Sequence, residues 1–310
     1  MGGLQLLLYF AVLFFVIAIV VKTIKIARMP IHLRWDLYPV PHEKGKGAYG
    51  GSYFEEIDWW TKPKNFSLFS ELKEMGMEIL FIQSLFHHNR SLWLFSFPFH
   101  FGMYCLIVHG VLLLIGAILT TAGVEVLWSS QNVVIVSIFY LTLALGKAGW
   151  LLSAFGALGV LLSRIFNGRL RGSSVLSDYA NLIILLALFT VGTISSFTVD
   201  TGYSIQRSFV ADIITFGSGS ALPGLLTAQL LILILLLLYF PFTHMTHFVG
   251  KYFTYHKIRW EDEPNVAGSK IEKAVSAALG YRINWSASHI KSGATWAEAA
   301  TEEASENEKK

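Results

Sequence analysis

LLTAQLLILILLLLYFPFTHMTHFVG, residues 225–250, decides how the chain is read. Its first two-thirds are almost wholly aliphatic. At ~1.5 Å rise per residue that run is long enough to cross the hydrocarbon of a bilayer. It closes on His244 and His247, one turn apart if the helix continues. An imidazole in lipid is costly, so a histidine on a spanning segment is a functional candidate. A second apolar run, residues 92–119, also carries histidines inside it, His100 and His109.

Composition agrees with a protein built in lipid. The chain is 54% hydrophobic and 15% charged, against about 25% charged in ordinary soluble domains. Mean hydropathy is +0.52. The net charge of only +3 gives no reason to expect nucleic acid as a partner. The single cysteine, Cys105, excludes an intrachain disulfide. Iron–sulfur clusters take about four cysteine ligands, so any such cluster belongs to a partner. There is no CxxCH, no phosphate-binding glycine loop and no internal repeat.

Outward from the opening stretch, four more spans are expected. Residues 4–21 form an unbroken apolar run followed by Lys22, Lys25 and Arg28. No basic region precedes the run and no small-residue cleavage site follows it, so it reads as a retained first span. Residues 92–119 make the second. Residues 132–167 are too long for one simple crossing and divide into an outer or re-entrant piece to about Leu145 and a third span over 148–166. Residues 179–199 make the fourth span, and the opening stretch is the fifth. Basic residues gather after spans one, three (Arg164, Arg169, Arg171) and five (Lys251, Lys257, Arg259). Loops rich in Lys and Arg stay in the cytoplasm. The expected fold is therefore an all-α integral membrane bundle of five spans, N-terminus outside and C-terminus cytoplasmic. Its expected setting is the cytoplasmic (inner) membrane.

The hydrophilic parts complete the organisation: a first span over 1–29, a cytoplasmic loop over 30–91, a membrane core over 92–250 and a cytoplasmic tail over 251–310. Within the loop, residues 30–67 are rich in glycine, proline and aromatics and read as ordered turns. Residues 68–86 read as an amphipathic helix lying at the interface or under a partner, with Leu68, Leu72, Met75, Ile79, Ile82 and Phe86 on one stripe. In the tail, residues 271–279 suggest a short helix, and residues 294–310 have the composition of a frayed, disordered end.

With this topology His100 and His247 both fall in the inner leaflet. Two imidazoles at one depth on facing helices are what a bis-histidine haem b requires, and an iron so ligated has no open position for substrate. His244 is the neighbouring alternative, and the bland reading for both span-five histidines is a place among lipid headgroups. His109 follows His100 by nine residues, which at ~100° per residue turns it half-way round the helix. The outer half of span five offers Gln229 but no histidine or methionine. His109 is then either a ligand to a second haem whose partner is not evident, or a buried hydrogen-bonded histidine. A register pairing His109 with His247 and His100 with His256 ranks lower, because His256 stands among Lys251, Lys257 and Arg259. Lys147 is a candidate quinone contact, an ammonium near the outer end of span three. Snorkelling to the interface is its simpler explanation. Arg90, His88 and Lys251 stand at the depth of haem propionates or serve as ordinary positive-inside anchors.

FPFTHMTH at the end of span five, GVLLSRIFNGRLRGSSVLSDYANLIILLALFTVG joining spans three and four, and FHFGMYCLIVHG on span two resemble the gamma (cytochrome b) subunit of respiratory nitrate reductase. The resemblance covers roughly residues 92 to 250. It implies two haem ligands from span two and two from span five, with His100 and His247 as the cytoplasm-proximal pair. It also places His109 one residue short of the distal ligand and Gln229 where the other distal ligand stands. The 30–91 loop and the tail HKIRWEDEP look more like cytochrome b subunits of redox complexes in sulfate- and metal-reducing bacteria. That likeness implies a heterodisulfide-reductase-like iron–sulfur partner in the cytoplasm, a multihaem cytochrome c outside, and menaquinone as substrate. The competing reading is a haem-free membrane anchor. The spans carry few ionisable residues and show no repeated broken helices, so a transporter is disfavoured.

Overall fold

Five long apolar helices carry the architecture of the computed structural model, which describes residues 2–28, 56–58, 61–62, 67–217, 221–254, 266–287 and 290–301. They are α1 (Gly3–Ala27), α4 (Arg90–Thr121), α5 (Val133–Phe166), α7 (Leu176–Thr198) and α9 (Gly224–Tyr239). Each is long and apolar enough to cross a membrane, the last when counted on through the following turn to Phe242. Shorter helices lie between and after them: α2 (Leu68–Phe81), α3 (Gln83–His88), α6 (Gly168–Gly172), α8 (Ser204–Ile214), α10 (His247–Thr254), α11 (Lys270–Leu279) and α12 (Trp296–Thr301). Among the described residues there is no β-strand, only isolated bridges. The loop segment 29–55 and the tail segment HKIRWEDEPN, with His256, lie outside the described residues.

The chain divides into two compact units, Met1–Val20 with Met75–Thr246, and Val21–Glu74 with His247–Lys310. In the first, α4 packs along α5, α5 along α7, and α7 along α9, while α8 lies against α4. Side chains from four spans fill the centre, among them Phe99 and Leu113, Trp150, Leu185 and Phe189, and Leu236. Helix α1 is different. Of its 25 residues only Gln5 and Ala11 are buried, and it touches the bundle through Tyr9, which donates to Ile213 O at 2.6 Å, and through Phe15 against Phe240.

The expected split of residues 132–167 is corrected: α5 is one unbroken helix of 34 residues. Asn132 caps its start by accepting from Val134 N at 2.9 Å, and no proline interrupts it. Its interior glycines Gly146, Gly149 and Gly156 are buried against neighbours, so they serve packing and do not bend the chain. The expected helix over 68–86 is also corrected. It stops at Phe81, Ile82 takes a left-handed φ of 51°, and α3 restarts the chain, with the Glu78 carboxylate accepting from Ser84 N at 2.9 Å. Trp93 Nε1 then donates to Phe81 O at 2.7 Å and Tyr104 to Ile79 O at 2.8 Å, fastening the end of α2 to α4.

The corner between α7 and α9 is held by a buried carboxylate. Asp200 accepts from Gln206 N at 2.9 Å and Ile205 N at 3.2 Å, satisfying the amides that open α8. A negative charge there also suits the helix dipole. Asp200→Ala leaves those amides unpaired, a cost of about 1–3 kcal/mol. The expected outcome is a lower midpoint of thermal unfolding in detergent, with Asp200→Asn recovering part of the loss.

In the second unit, Ser269 caps α11 by accepting from Glu272 N at 3.0 Å. Within the segment 294–310, residues Trp296–Thr301 form α12. Thr295 and Glu298 form a reciprocal capping box at the start of α12, Thr295 N donating to Glu298 Oε2 at 2.7 Å and Glu298 N to Thr295 Oγ1 at 3.2 Å. The Thr295 backbone N–H, donating to it, holds the Glu298 carboxyl below its usual range. Ile283 is buried beneath the paired segment, its N–H donating to Ala294 O at 2.8 Å.

Candidate functional site

The histidines occupy three different settings. His100 sits half-buried in the first half of α4, two residues after Pro98. Its Nδ1 lies 2.7 Å from Ser96 O. A carbonyl only accepts, so the proton is on Nδ1 and the lone pair on Nε2. That is the tautomer and the backbone tether typical of a metal-ligating imidazole. Phe99 stands edge-on to the ring at 4.9 Å between centroids. The helix that would face it across a haem, α9, is not among those packed side by side with α4. The donor and its setting fit a haem ligand.

His244 and His247 do not continue the fifth span, which corrects the expected single helix to residue 250. Helix α9 ends at Tyr239, because Pro241 has no N–H for the next turn. Phe240–Phe242 and His244–Thr246 are separate 3-10 turns, stitched by Thr243 Oγ1 to Phe240 O at 2.9 Å and Thr246 Oγ1 to Thr243 O at 2.9 Å. His244 is exposed, its Nδ1 3.7 Å from Asp178 Oδ1. Arg164 approaches the other oxygen of Asp178 at 3.5 Å and donates to Ser174 Oγ at 2.7 Å. This ionic group at the start of α7 carries no apolar pattern, so sequence reading has no signal that His244 belongs to it. His247 is exposed and opens α10 in the second unit.

His109 is buried, 3% exposed, between α4, α5 and the corner before α8. Its Nδ1 donates to Thr142 O at 3.0 Å, and its ring lies 4.4 Å from that of Tyr203. Arg207 is buried beside it and donates to Val126 O at 3.2 Å. Tyr203 and Arg207 are site residues that sequence reading passed over. Arg207 is the only basic residue of the 200–223 segment and would ordinarily face water. Gln229 accepts from Ser195 Oγ at 2.6 Å, across α7 and α9.

The remaining candidates lie apart. The Arg90 guanidinium stacks over the Phe86 ring, 4.9 Å from its centroid. His88 Nδ1 is 2.7 Å from Ser84 O. Lys147 Nζ is 5.0 Å from the Phe197 centroid, a cation–π contact that offsets the cost of an ammonium on a spanning helix. The side chain of Lys251 lies outside the described residues.

The class these features define is a multi-pass membrane protein, a helical bundle with imidazoles placed within its spans. It is similar to the Hdr-like menaquinol oxidoreductase cytochrome b-like subunit of Archaeoglobus fulgidus, at 24% identity over 273 residues, covering 79% of this chain and 76% of that protein. That similarity agrees with the resemblance read from the histidine segments and the tail. No protein-family model matches the chain. No solved structure matches it either.

Proposed function

We propose that this chain is the membrane cytochrome b subunit of a menaquinol-oxidising complex. It carries electrons between menaquinone and a cytoplasmic iron–sulfur, heterodisulfide-reductase-like partner. The observation that carries the reading is the His100 imidazole, half-buried in an apolar span, with Nδ1 tied to Ser96 O and the lone pair on Nε2. The similarity to a menaquinol oxidoreductase subunit supports the same assignment.

In this reading His100 would hold the haem, with His247 as the second ligand expected from the sequence, and the group would supply a one-electron relay. The Ser96 carbonyl fixes the plane of the His100 ring and raises its basicity. Arg90, stacked on Phe86, offers a positive charge to propionates near the start of α4. Lys147, poised over Phe197, is the proposed quinone contact: its ammonium donates to a quinone carbonyl within the bilayer. The basic groups after α1, α5 and α9 set the N-terminus outside and the C-terminus in the cytoplasm, where the partner docks.

The test uses the purified, air-oxidised protein and a soluble menaquinol analogue. Addition of the analogue should bring up the absorption bands of reduced haem b within the mixing time of a spectrophotometer. A preparation with no haem spectrum before or after dithionite would overturn the reading and leave a haem-free anchor.

A further inference from the structure

The resemblance to two-haem cytochromes implies a second centre at His109, and the structure does not accommodate one there. Helical geometry gives the first reason. Nine residues after His100, His109 points from the opposite side of α4. Two haems clasped by α4 and one common partner helix need both rings on the same side. His109 instead turns to α5, where its Nδ1 donates to Thr142 O at 3.0 Å.

Packing gives the second reason. The nitrogen left to bind iron, Nε2, is fully covered by surrounding protein atoms. Tyr203, with no exposed surface, lies over the ring. The backbone of α5 comes so close that a Cβ on Gly146 would stand 2.5 Å from the Tyr203 hydroxyl and 2.7 Å from His109 Cε1. On the other flank a Cβ on Gly116 would meet Arg207 Nε at 2.9 Å. A haem iron sits about 2 Å from its imidazole nitrogen, within a wide, flat ring, and this packing has no slot for such a disc. The expected opposite ligand is also engaged, since Gln229 accepts from Ser195.

From these contacts we infer that the chain holds one haem. His109, with Tyr203 and Arg207, forms a buried cluster where α4, α5 and the α8 corner meet, held by ring contact and by the bonds to Thr142 O and Val126 O. The inference rests on the cytochrome b reading, and its test separates the two. Haem per polypeptide is measured by pyridine haemochromogen assay on the purified full-length chain. Low-spin signals are counted by electron paramagnetic resonance, and the variants His109→Gln and His100→Ala are assayed alongside.

The expected result is one haem per chain and one low-spin signal, with His109→Gln keeping the wild-type ratio and His100→Ala losing it. Two haems per wild-type chain would overturn the inference while sparing the cytochrome reading. One haem that is lost with His109→Gln but kept with His100→Ala would overturn it too. No haem at all would sink both. The wild-type ratio decides the count even if His109→Gln fails to fold.

Discussion

His100→Ala should yield a protein that extracts and elutes like wild type but lacks the reduced-minus-oxidised haem spectrum. The ring stands on an apolar helix where its removal leaves a small space and no broken ladder, because the Ser96 carbonyl remains within the α4 backbone. Changes to groups that only orient a ligand commonly weaken metal affinity about 10–100-fold, and loss of a ligand itself should exceed that. Recovery of part of the haem on adding free imidazole would identify the lost group as a ligand and not as a packing residue. A full haem complement in His100→Ala would sink the assignment.

Gly156→Val should be the most damaging single change to the bundle itself. The α4–α5 pair is drawn together by small residues, and at Gly156 a Cβ would run into Phe99 N, Phe99 Cα and Phe95 O. Those are backbone atoms of the neighbouring helix, which cannot swing aside as a flexible side chain can. The helices must separate, opening the layer that holds Phe99 against Phe189 at 6.0 Å. Overpacking of this kind costs typically about 1–3 kcal/mol and sometimes more. The measurable outcome is a sharp fall in the thermal midpoint in detergent and in yield from membranes. Gly110→Ala, with nothing within 4 Å of the new methyl, is the control and should leave both unchanged or slightly improved. Equal behaviour of the two variants would remove close helix packing as the organising contact.

The five spans were legible because a bilayer imposes one simple demand, a long apolar run with its backbone bonds made internally. The same demand hid the nature of α5. Its length suggested two pieces, yet nothing in Val133–Phe166 forces a break, and its glycines were facing α4 and the corner before α8. The opposite error came at residues 240–247, where apolar character continued past a proline that had already ended the helix. The TWAE motif of Thr295–Glu298 was readable as a capping box, but the surrounding acidic, alanine-rich composition outweighed it.

The site divided in the same way. The Ser96 tether of His100 is four residues back on one helix, so helical spacing reaches it. The environment of His109 is assembled from Thr142, Tyr203 and Arg207, far off along the chain. Half-turn spacing hinted that His109 faced away from His100. Only tertiary packing showed what it faced.

The uninterrupted run of α5 has a mechanical corollary. Its 34 residues extend about 50 Å at ~1.5 Å each, whereas bilayer hydrocarbon is about 30 Å thick. Even a lean of about 40° leaves more than one turn beyond the hydrocarbon, at headgroup level. Helix α4, nearly as long and clamped to it, shares that overhang. A subunit arriving from the water meets a rigid double post already in place, so gripping it requires little ordering of this chain.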